Sequence, residues 1–340
     1  MDKRKELMKT ILARAKEKVK ATKKKPLLVL CEGWDERGLK AAEFVSKKKI
    51  ARIVLLDQGG KVPGAASQYN VDVSRFEIID IKDQKNDALK KELADVLFKA
   101  REKKGMTLEQ ATQLIEDENY FGCCLALAGK ADGVLGSLIR PTADLMKPAL
   151  QLMKKGLVNE VSVFHDKKNE RIIFGTDFSL NISPTTDQLA EMGINMAEVA
   201  ELYGFDAKVG MLSFSTKGSG GDTPETLAAR EVVKKAKEMR PSLKIGGEYQ
   251  VDAAVNPDSA KRKCPDDEYA GQINCLLFPN LTASNIAAHG YGQFSDMVFI
   301  FTIMKGMIKP VTILGRSMPA DSVRDMFVAT ALDAMRYCAS

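Results

Sequence analysis

The stretch PLLVLCEGWDERGLKAAEFVSKKKIARIVLLD, residues 26–57, decides the fold class. Its two ends, PLLVLCEG and ARIVLLD, are short and almost continuously apolar, which indicates buried strands. The segment between them, DERGLKAAEFVSKKK, is predicted to be a helix. A strand, a helix and a second strand in this order predict a parallel sheet that helices cover on both faces.

The same alternation continues along the rest of the chain. Further strands are predicted at FEIIDI, ADGVLG, EVSVFHD, ERIIFGTD, KVGMLSFST, LKIGGEYQ, INCLLFP and KPVTIL. We therefore expect an α/β protein of two domains with parallel-rich sheets, flanked by helices and meeting at an interdomain cleft. The first domain is predicted to comprise residues 1–157 and 309–340, because the last strand and helix return to it, and the second to comprise residues 158–308.

Composition excludes several functional classes. No apolar run approaches the roughly 18–20 residues that cross a bilayer, and no apolar signal core follows the Lys-rich start, so we expect a cytoplasmic protein without a membrane partner. The net charge of +6 arises in residues 1–25, which hold 11 Lys+Arg and 3 Asp+Glu. Leu7, Ile11 and Ala15 fall there at helical spacing, which favours an amphipathic helix over a nucleic-acid-binding tail.

The metal-binding residue types are sparse and scattered. The six cysteines show no C-x-x-C spacing and there are two histidines, His165 and His289, so no zinc site is predicted. Glu248 and Asp252 could form a metal pair but lack a third ligand nearby. Most cysteines lie in apolar strings and are predicted to be reduced core thiols, although a nucleophilic Cys–His pair remains an alternative. We expect no metal and no permanently bound cofactor.

The most informative local segment is LSFSTKGSGGDTPET, residues 212–226. A strand leads into a glycine-rich loop and then into a helix that starts at Thr223-Pro224. Glycines allow a ligand to approach the backbone, and a helix N-terminus offers free N–H groups to a phosphate. The spacing is not that of a Walker loop, and a flexible solvent loop is the alternative reading. The candidate ligand-binding residues are Ser213, Ser215, Thr216, Lys217, Gly218 and Ser219.

Two further segments carry arginines at predicted strand ends. In ILGRSMPADS, residues 313–322, Arg316 follows a buried strand, where its planar fork could bind an anionic oxygen pair. In GSLIRPTADLMKP, residues 136–148, Arg140 likewise leaves a buried strand, an expensive place for an unpaired charge. Ion pairs within the protein are the alternative in both cases. The candidate residues of these segments are Arg140, Thr142, Lys147, Gly315, Arg316 and Ser317.

Blocks of the sequence resemble the phosphate acetyltransferase family in the family's own order. They are KGMTLEQATQLIEDENYFGCCLALAGKADGVLGS, VGMLSFSTKGS, GGEYQVDAAVNPDSAKRK and FPNLTASNI. The resemblance covers nearly the whole chain. It implies an isocitrate/isopropylmalate-dehydrogenase-like architecture with coenzyme A in the interdomain cleft. It also implies coenzyme A or acetyl-CoA and phosphate or acetyl phosphate as substrates, and usually a homodimer.

The family's functional arginines transfer in part. The arginine four residues before the KG glycine matches Arg101, and the arginine of the family's KPVxDLSRG motif matches Arg316. A third family arginine falls on Lys147. The resemblance implies that Arg101 and Arg316 stabilise the charge of the transition state.

The family's serine and aspartate do not transfer in register. The serine falls on Gly315, and the aspartate falls on Ser322, with Asp321 one position away. These two groups are thought to help deprotonate the thiol, so Asp321 is a candidate base. We expect an active enzyme in which the coenzyme A thiolate attacks acetyl phosphate directly. The alternatives are a propionyl- or butyryl-specific enzyme, a catalytically impaired relative that binds coenzyme A, and an oxidoreductase of the same architecture.

Overall fold

The computed structural model describes residues 2–338, which divide into two compact units. The first unit contains Ile11–Gly156 and the residues from Gly306 onward, and the second contains the residues up to Thr10 and Leu157–Lys305. The sequence prediction assigned residues 1–157 to the first domain, whereas residues 2–10 group with the second unit. Helical periodicity identifies the buried face of a helix but not the element that covers that face.

The strands and helices follow the predicted alternation. The strands are β1 (Leu27–Leu30), β2 (Arg52–Asp57), β3 (Glu77–Asp80), β4 (Gly133–Gly136), β5 (Lys154–Asp166), β6 (Arg171–Thr176), β7 (Val209–Leu212), β8 (Ile245–Tyr249), β9 (Cys275–Leu277), β10 (Met297–Met307) and β11 (Val311–Ile313). The helices are α1 (Lys3–Thr22), α2 (Glu36–Lys47), α3 (Lys61–Tyr69), α4 (Asp87–Arg101), α5 (Leu108–Leu114), α6 (Glu118–Leu127), α7 (Thr142–Leu152), α8 (Thr186–Leu202), α9 (Pro224–Met239), α10 (Val251–Val255), α11 (Pro257–Lys263), α12 (Leu281–Phe294) and α13 (Ala320–Ala334).

The sheet of the first unit is parallel throughout, with the strand order β11-β4-β1-β2-β3. Strand β11 follows the second unit in sequence and returns to pair with β4, Val311 lying opposite Val134. Because all five strands run in the same direction, the loops that follow β1, β4 and β11 begin at one edge of the sheet. Helix α6 is buried over almost its whole length, as its sequence ENYFGCCLAL suggests.

The sheet of the second unit is mixed, with the order β10-β5-β6-β9-β7-β8. Strands β5 and β6 pair antiparallel, while β6, β9, β7 and β8 pair in parallel. The sequence analysis did not predict β10, an 11-residue strand with the sequence MVFIFTIMKGM. An apolar run of this kind cannot be distinguished from a buried helix by periodicity alone. One aromatic core contact of this unit is an edge-to-face pair between Phe164 and Phe178 at 5.5 Å.

Helix α1 and the cysteines show the burial that their patterns predict. Leu7, Ile11 and Ala15 form the buried stripe of α1, with at most 2% of each residue exposed. All six cysteines are unpaired and buried, and burial raises the pKa of Cys124 to about 12. Within residues 2–338 no helix combines the length and the apolar character needed to cross a bilayer.

The return of α13 to the first unit can be tested through its core. Leu332 is fully buried on α13, which packs against α2. Leu332→Ala removes buried methyl groups, so we expect the free energy of unfolding to fall by about 3 kcal/mol in urea denaturation. The matched change Leu227→Ala, at a residue 50% exposed on α9, should cost about 0.5 kcal/mol or less. Equal losses in the two variants would contradict the packing of α13.

Candidate active site

A buried carboxylate shapes the loop that follows β4. Glu32 is the second residue after β1 and is fully buried. Its oxygens accept hydrogen bonds from the backbone N–H groups of Leu138 at 2.6 Å, Ile139 at 3.2 Å and Arg140 at 2.8 Å. Burial raises the pKa of Glu32, and the three N–H groups oppose that shift. The carboxylate therefore supplies the partners that three consecutive N–H groups of an irregular segment would otherwise lack.

Arg316 lies in the segment between β11 and α13, as predicted. Its side chain is exposed and makes no hydrogen bond or ion pair with another residue in the range 2–338. Its backbone carbonyl accepts a hydrogen bond of 2.7 Å from the guanidinium of Arg37. A Cβ added to the neighbouring Gly315 would meet only the side chain of Met318, at 3.8 Å. The site therefore has room for the side chain that this glycine lacks.

Asp321 opens helix α13 and is turned to solvent, with 73% of its side chain exposed. It pairs with Arg324 at 2.9 Å. Ser322 is buried, with 7% of the residue exposed. The structure thus gives Asp321 a counter-ion of its own, one turn along the same helix.

Arg101 ends helix α4 and has an unsatisfied donor. Its Nε is buried and has no hydrogen-bond partner among residues 2–338. The neighbouring Tyr120 has a raised pKa, because burial and the charge of Asp117 outweigh the opposing charge of Arg101. A buried N–H without a partner costs free energy, and an anionic ligand can supply the missing acceptor. The Nε of Arg101 is therefore a donor whose hydrogen bond an anionic ligand would supply.

Arg140, in contrast, is surrounded by carboxylates. Its guanidinium contacts Asp117 at 2.5 Å, Glu118 at 3.2 Å and Asp144 at 2.8 Å. Although burial opposes the shift, these carboxylates raise the pKa of Arg140. An incoming anion would meet a cluster of net negative charge, so the geometry favours the ion-pair alternative for this residue.

Helix α7 carries the other two candidates of that segment. Thr142 is the first residue of the helix, and Lys147 lies in its middle; both are exposed. No ion pair or side-chain hydrogen bond joins Lys147 to another described residue. Its ammonium group is therefore available to an anion.

In the second unit, the loop between β7 and α9 is closed around another buried carboxylate. Glu248, 1% exposed at the end of β8, accepts hydrogen bonds from the Gly218 N–H at 2.7 Å and the Ser215 hydroxyl at 3.0 Å. Arg230 donates to it from α9 at 3.0 Å. Burial alone would raise the pKa of Glu248, but these donors lower it to about 2. Ser215 and Gly218 were predicted to face a ligand, but their donors bind the carboxylate of Glu248 instead.

The lysine of the same loop is also engaged. Lys217 pairs with Asp267 at 2.7 Å and donates to the Gly247 carbonyl at 3.0 Å. Tyr249 donates its hydroxyl to Asp267 at 2.6 Å, and the ammonium group lies 5.2 Å from the centre of the Tyr249 ring. Burial opposes ionisation of Asp267, but hydrogen bonds from Lys217 and Tyr249 hold its pKa at about 2.

The remaining polar groups of the loop organise its backbone. The Ser213 hydroxyl accepts from the Ser215 N–H at 3.3 Å, and the Ser219 hydroxyl accepts from the Thr216 N–H at 3.0 Å. The Thr216 hydroxyl accepts from the Gln250 N–H at 3.0 Å. As acceptors, the hydroxyls of Ser213 and Ser219 keep their own hydrogens for a ligand.

The sequence analysis did not identify Glu32, Arg37 or Arg230, and it considered Glu248 only as a metal ligand. Strand-end position was a signal for Glu32 and Glu248, since each follows or ends an apolar strand. No local pattern could show which N–H groups they bind, because the partners lie 30 or more residues away. Among residues 2–338 no group of three or more His, Cys, Asp or Glu side chains is arranged to hold a metal ion.

Comparison with known proteins gives one consistent family. Residues 7–334 match the model of the family described as phosphate acetyl/butaryl transferase. The phosphate acetyltransferase of Thermoanaerobacterium thermosaccharolyticum is 37% identical over 331 residues, which is 94% of this chain and 97% of the relative. The phosphate acetyltransferase of Bacillus subtilis is 33% identical over 312 residues, 91% of this chain and 94% of the relative.

The solved structures agree with the sequence comparison. A phosphotransacetylase from Streptococcus pyogenes superposes with a TM-score of 0.86 and is 32% identical in sequence. The match covers 96% of this chain and 99% of that protein. The α/β architecture with parallel-rich sheets that the sequence predicts is therefore confirmed by structural likeness at substantial identity.

The charge on Glu248 can be tested by the pH dependence of stability. Glu248→Gln keeps an acceptor for Ser215 and Gly218 but loses the charge that Arg230 binds, so we expect the free energy of unfolding to fall by about 2 kcal/mol at pH 7. The folded-state pKa is depressed from 4.5 to about 2, so the wild-type advantage is full above pH 4.5 and is lost as the pH falls towards 2.

Denaturant unfolding of both proteins between pH 7 and pH 3 measures this difference. Glu231→Gln, at an exposed position of the same helix as Arg230, serves as the control and should show little difference at any pH. A gap between wild type and Glu248→Gln that stays constant over the whole range would contradict the assignment.

Proposed function

The chain belongs to the phosphate acetyl/butaryl transferase family, and we propose that it catalyses reversible acetyl transfer between coenzyme A and inorganic phosphate. It is a transferase of acetate metabolism that uses coenzyme A as a substrate. The observation that carries the proposed site is the side chain of Arg316, which lies exposed in the segment after β11 and has no ion-pair or hydrogen-bond partner among residues 2–338. This is the arginine that the KPVTILGRS motif identifies.

In the proposed reaction, the coenzyme A thiolate attacks the carbonyl carbon of acetyl phosphate. A carbon–sulfur bond forms, the carbon–oxygen bond to the phosphate breaks, and the products are acetyl-CoA and phosphate. Negative charge develops on the carbonyl oxygen and on the leaving phosphate. Arg316 and Arg101 are the proposed donors to that charge, because the Arg316 guanidinium and the Arg101 Nε have no partner among the residues that the structure describes.

No protein base is needed in this scheme. Gly315 has no hydroxyl, and Asp321 is exposed and paired with Arg324. A thiol with a pKa near 8.5 is already a few per cent ionised near pH 7, so a base could raise the thiolate fraction by only about one to two orders of magnitude. We therefore place Asp321 near the site but not in an essential catalytic role.

Other polar residues are proposed to bind the anionic groups of the substrates. Lys147 and Thr142 on α7, with Ser317 beside Arg316, are the proposed ligands of the phosphate. The hydroxyls of Ser213 and Ser219, beside the N-terminus of α9, are the proposed ligands of a coenzyme A phosphate. Glu248 and Asp267 then stabilise the conformation of this loop through their contacts with Ser215, Lys217 and Gly218.

We further propose that the protein works as a homodimer in the cytoplasm. Large apolar side chains are exposed on α12 and β10, namely Ile286 at 67%, Phe294 at 91% and Phe299 at 45%. Exposed apolar patches mark sites of protein association, and these side chains support the proposal of an interface that includes α12 and β10. Six buried free thiols are typical of a reducing compartment.

A coupled assay tests the function directly. Purified protein is supplied with acetyl phosphate and coenzyme A, and thioester formation is followed by ultraviolet absorbance over minutes, a range that suits typical turnover numbers. Propionyl and butyryl phosphate are compared in the same assay. Absence of thioester formation with every acyl phosphate would overturn the proposal.

Arg316→Ala tests the role of the unpaired guanidinium. Loss of a transition-state donor should lower kcat by at least about a hundredfold. Thermal stability should barely change, since the side chain is exposed and makes no hydrogen bond or ion pair within residues 2–338. Arg75→Ala, which removes an exposed ion pair with Asp72, is the control and should keep full activity. Near-normal turnover of Arg316→Ala would refute the assignment.

Lys147→Arg tests anion binding on helix α7. A guanidinium offers a planar fork that an ammonium group cannot reproduce, so the KM for acetyl phosphate should fall by about threefold or more while kcat changes little. Lys234→Arg, at an exposed position of α9, should leave KM unchanged. A KM that rises or stays the same in Lys147→Arg would show that this residue does not bind the phosphate.

A further inference from the structure

We propose that Arg37 is the positioning residue of the site, acting through the backbone of Arg316. The inference rests on the proposed function of Arg316. Arg37 lies in the first turn of α2, and its side chain is 22% exposed. It is placed to hold the backbone of the catalytic segment rather than to touch a substrate.

The guanidinium of Arg37 joins two loops. One terminal nitrogen, Nη1, donates to the carbonyl of Arg316 at 2.7 Å and to that of Met318 at 3.0 Å. The other, Nη2, donates to the carbonyl of Leu138 at 2.8 Å, in the loop after β4. A single side chain therefore binds three carbonyls from the segments that follow two neighbouring strands.

The orientation of the Arg37 fork is itself fixed. Asp35 accepts from its Nε at 3.1 Å and from Nη2 at 2.9 Å, and this hydrogen bonding raises the pKa of Arg37. The Asp35 carboxylate also caps α2 by accepting from the N–H groups of Arg37 and Gly38. The helix N-terminus orients the carboxylate, which in turn orients the guanidinium.

The segment that Arg37 holds has few other ties. At its start, the Leu314 N–H donates to the Gly136 carbonyl at 2.7 Å. At its end, the Pro319 carbonyl accepts from the first turn of α13. Between these points the Arg316 side chain makes no bond within residues 2–338, so the direction of its guanidinium depends on its backbone. A displacement of about 1 Å can cost about a hundredfold in rate.

Arg37→Lys separates positioning from a general role in folding. An ammonium group keeps the charge but cannot bind both Asp35 and the carbonyls of two loops in one fork. We expect kcat to fall by about tenfold to a hundredfold, with KM for both substrates within about threefold of wild type. Arg75→Lys, at an exposed ion pair, is the matched control and should leave both constants unchanged.

A double-mutant cycle tests whether Arg37 acts through Arg316. In the Arg316→Ala background, Arg37→Lys should lower kcat by less than about threefold, because the group that it positions is gone. An equal fall in both backgrounds, or an unchanged kcat in Arg37→Lys alone, would overturn the proposal. If Arg37→Lys does not fold, Asp35→Asn keeps the helix cap, removes the orienting charge, and should show the same coupling to Arg316.

Hydrogen exchange distinguishes failure of this inference from failure of the proposed function. In Arg37→Lys, peptides covering residues 314–319 should exchange faster, while those covering the loop between β7 and α9 should not change. If the wild type lacks transferase activity and Arg37→Lys exchanges faster, the proposed function is overturned but the role of Arg37 in holding the segment stands. If the wild type is active and exchange in Arg37→Lys is unchanged, only the positioning role of Arg37 is overturned.

Discussion

The parallel pairing of β4 with both β1 and β11 is the constraint on which the rest of the first unit depends. It brings the segments after three strands, far apart in sequence, to one edge of one sheet. Those segments are irregular, and their N–H and C=O groups need partners. The chain supplies them from the β1–α2 connection and the first turn of α2, where Glu32 binds three N–H groups and Arg37 binds three carbonyls.

Both units use the same device to hold a loop. In the first, Glu32 accepts from the loop after β4; in the second, Glu248 accepts from the loop after β7. The two carboxylates differ in charge balance. Burial would raise the pKa of both, but Arg230 donates to Glu248 and the pKa of Glu248 is lowered. Glu32 accepts from three backbone N–H groups, and burial raises its pKa. The loop after β7 resembles a phosphate site in sequence, but its Ser215 and Gly218 donors bind the carboxylate of Glu248 from β8.

The cations discussed for the two units divide into two groups. Arg140, Arg230 and Lys217 each contact one or more carboxylates, so their charges are balanced within the fold. Arg316 and Lys147, like Arg101 at its Nε, lack such partners among residues 2–338. Strand ends and a glycine-rich turn singled out the segments that contain Arg140, Lys147, Lys217 and Arg316, because such features are visible as local patterns. Arg101 was identified by the family resemblance alone, and Arg230 was not identified. The sequence could not separate the groups, since the neutralising carboxylates come from other elements.

The sequence by itself determined the alternation of strands and helices, the buried stripe of α1 and the motifs that identify the family, because these depend on neighbours within a few residues. It also located Arg316 at the end of a buried strand. Only the tertiary structure decided that residues 2–10 group with the second unit, that β10 is a strand, and that Arg140 is enclosed by carboxylates. Each of these depends on residues distant in the chain, whose positions follow from the packing of whole elements and not from local spacing.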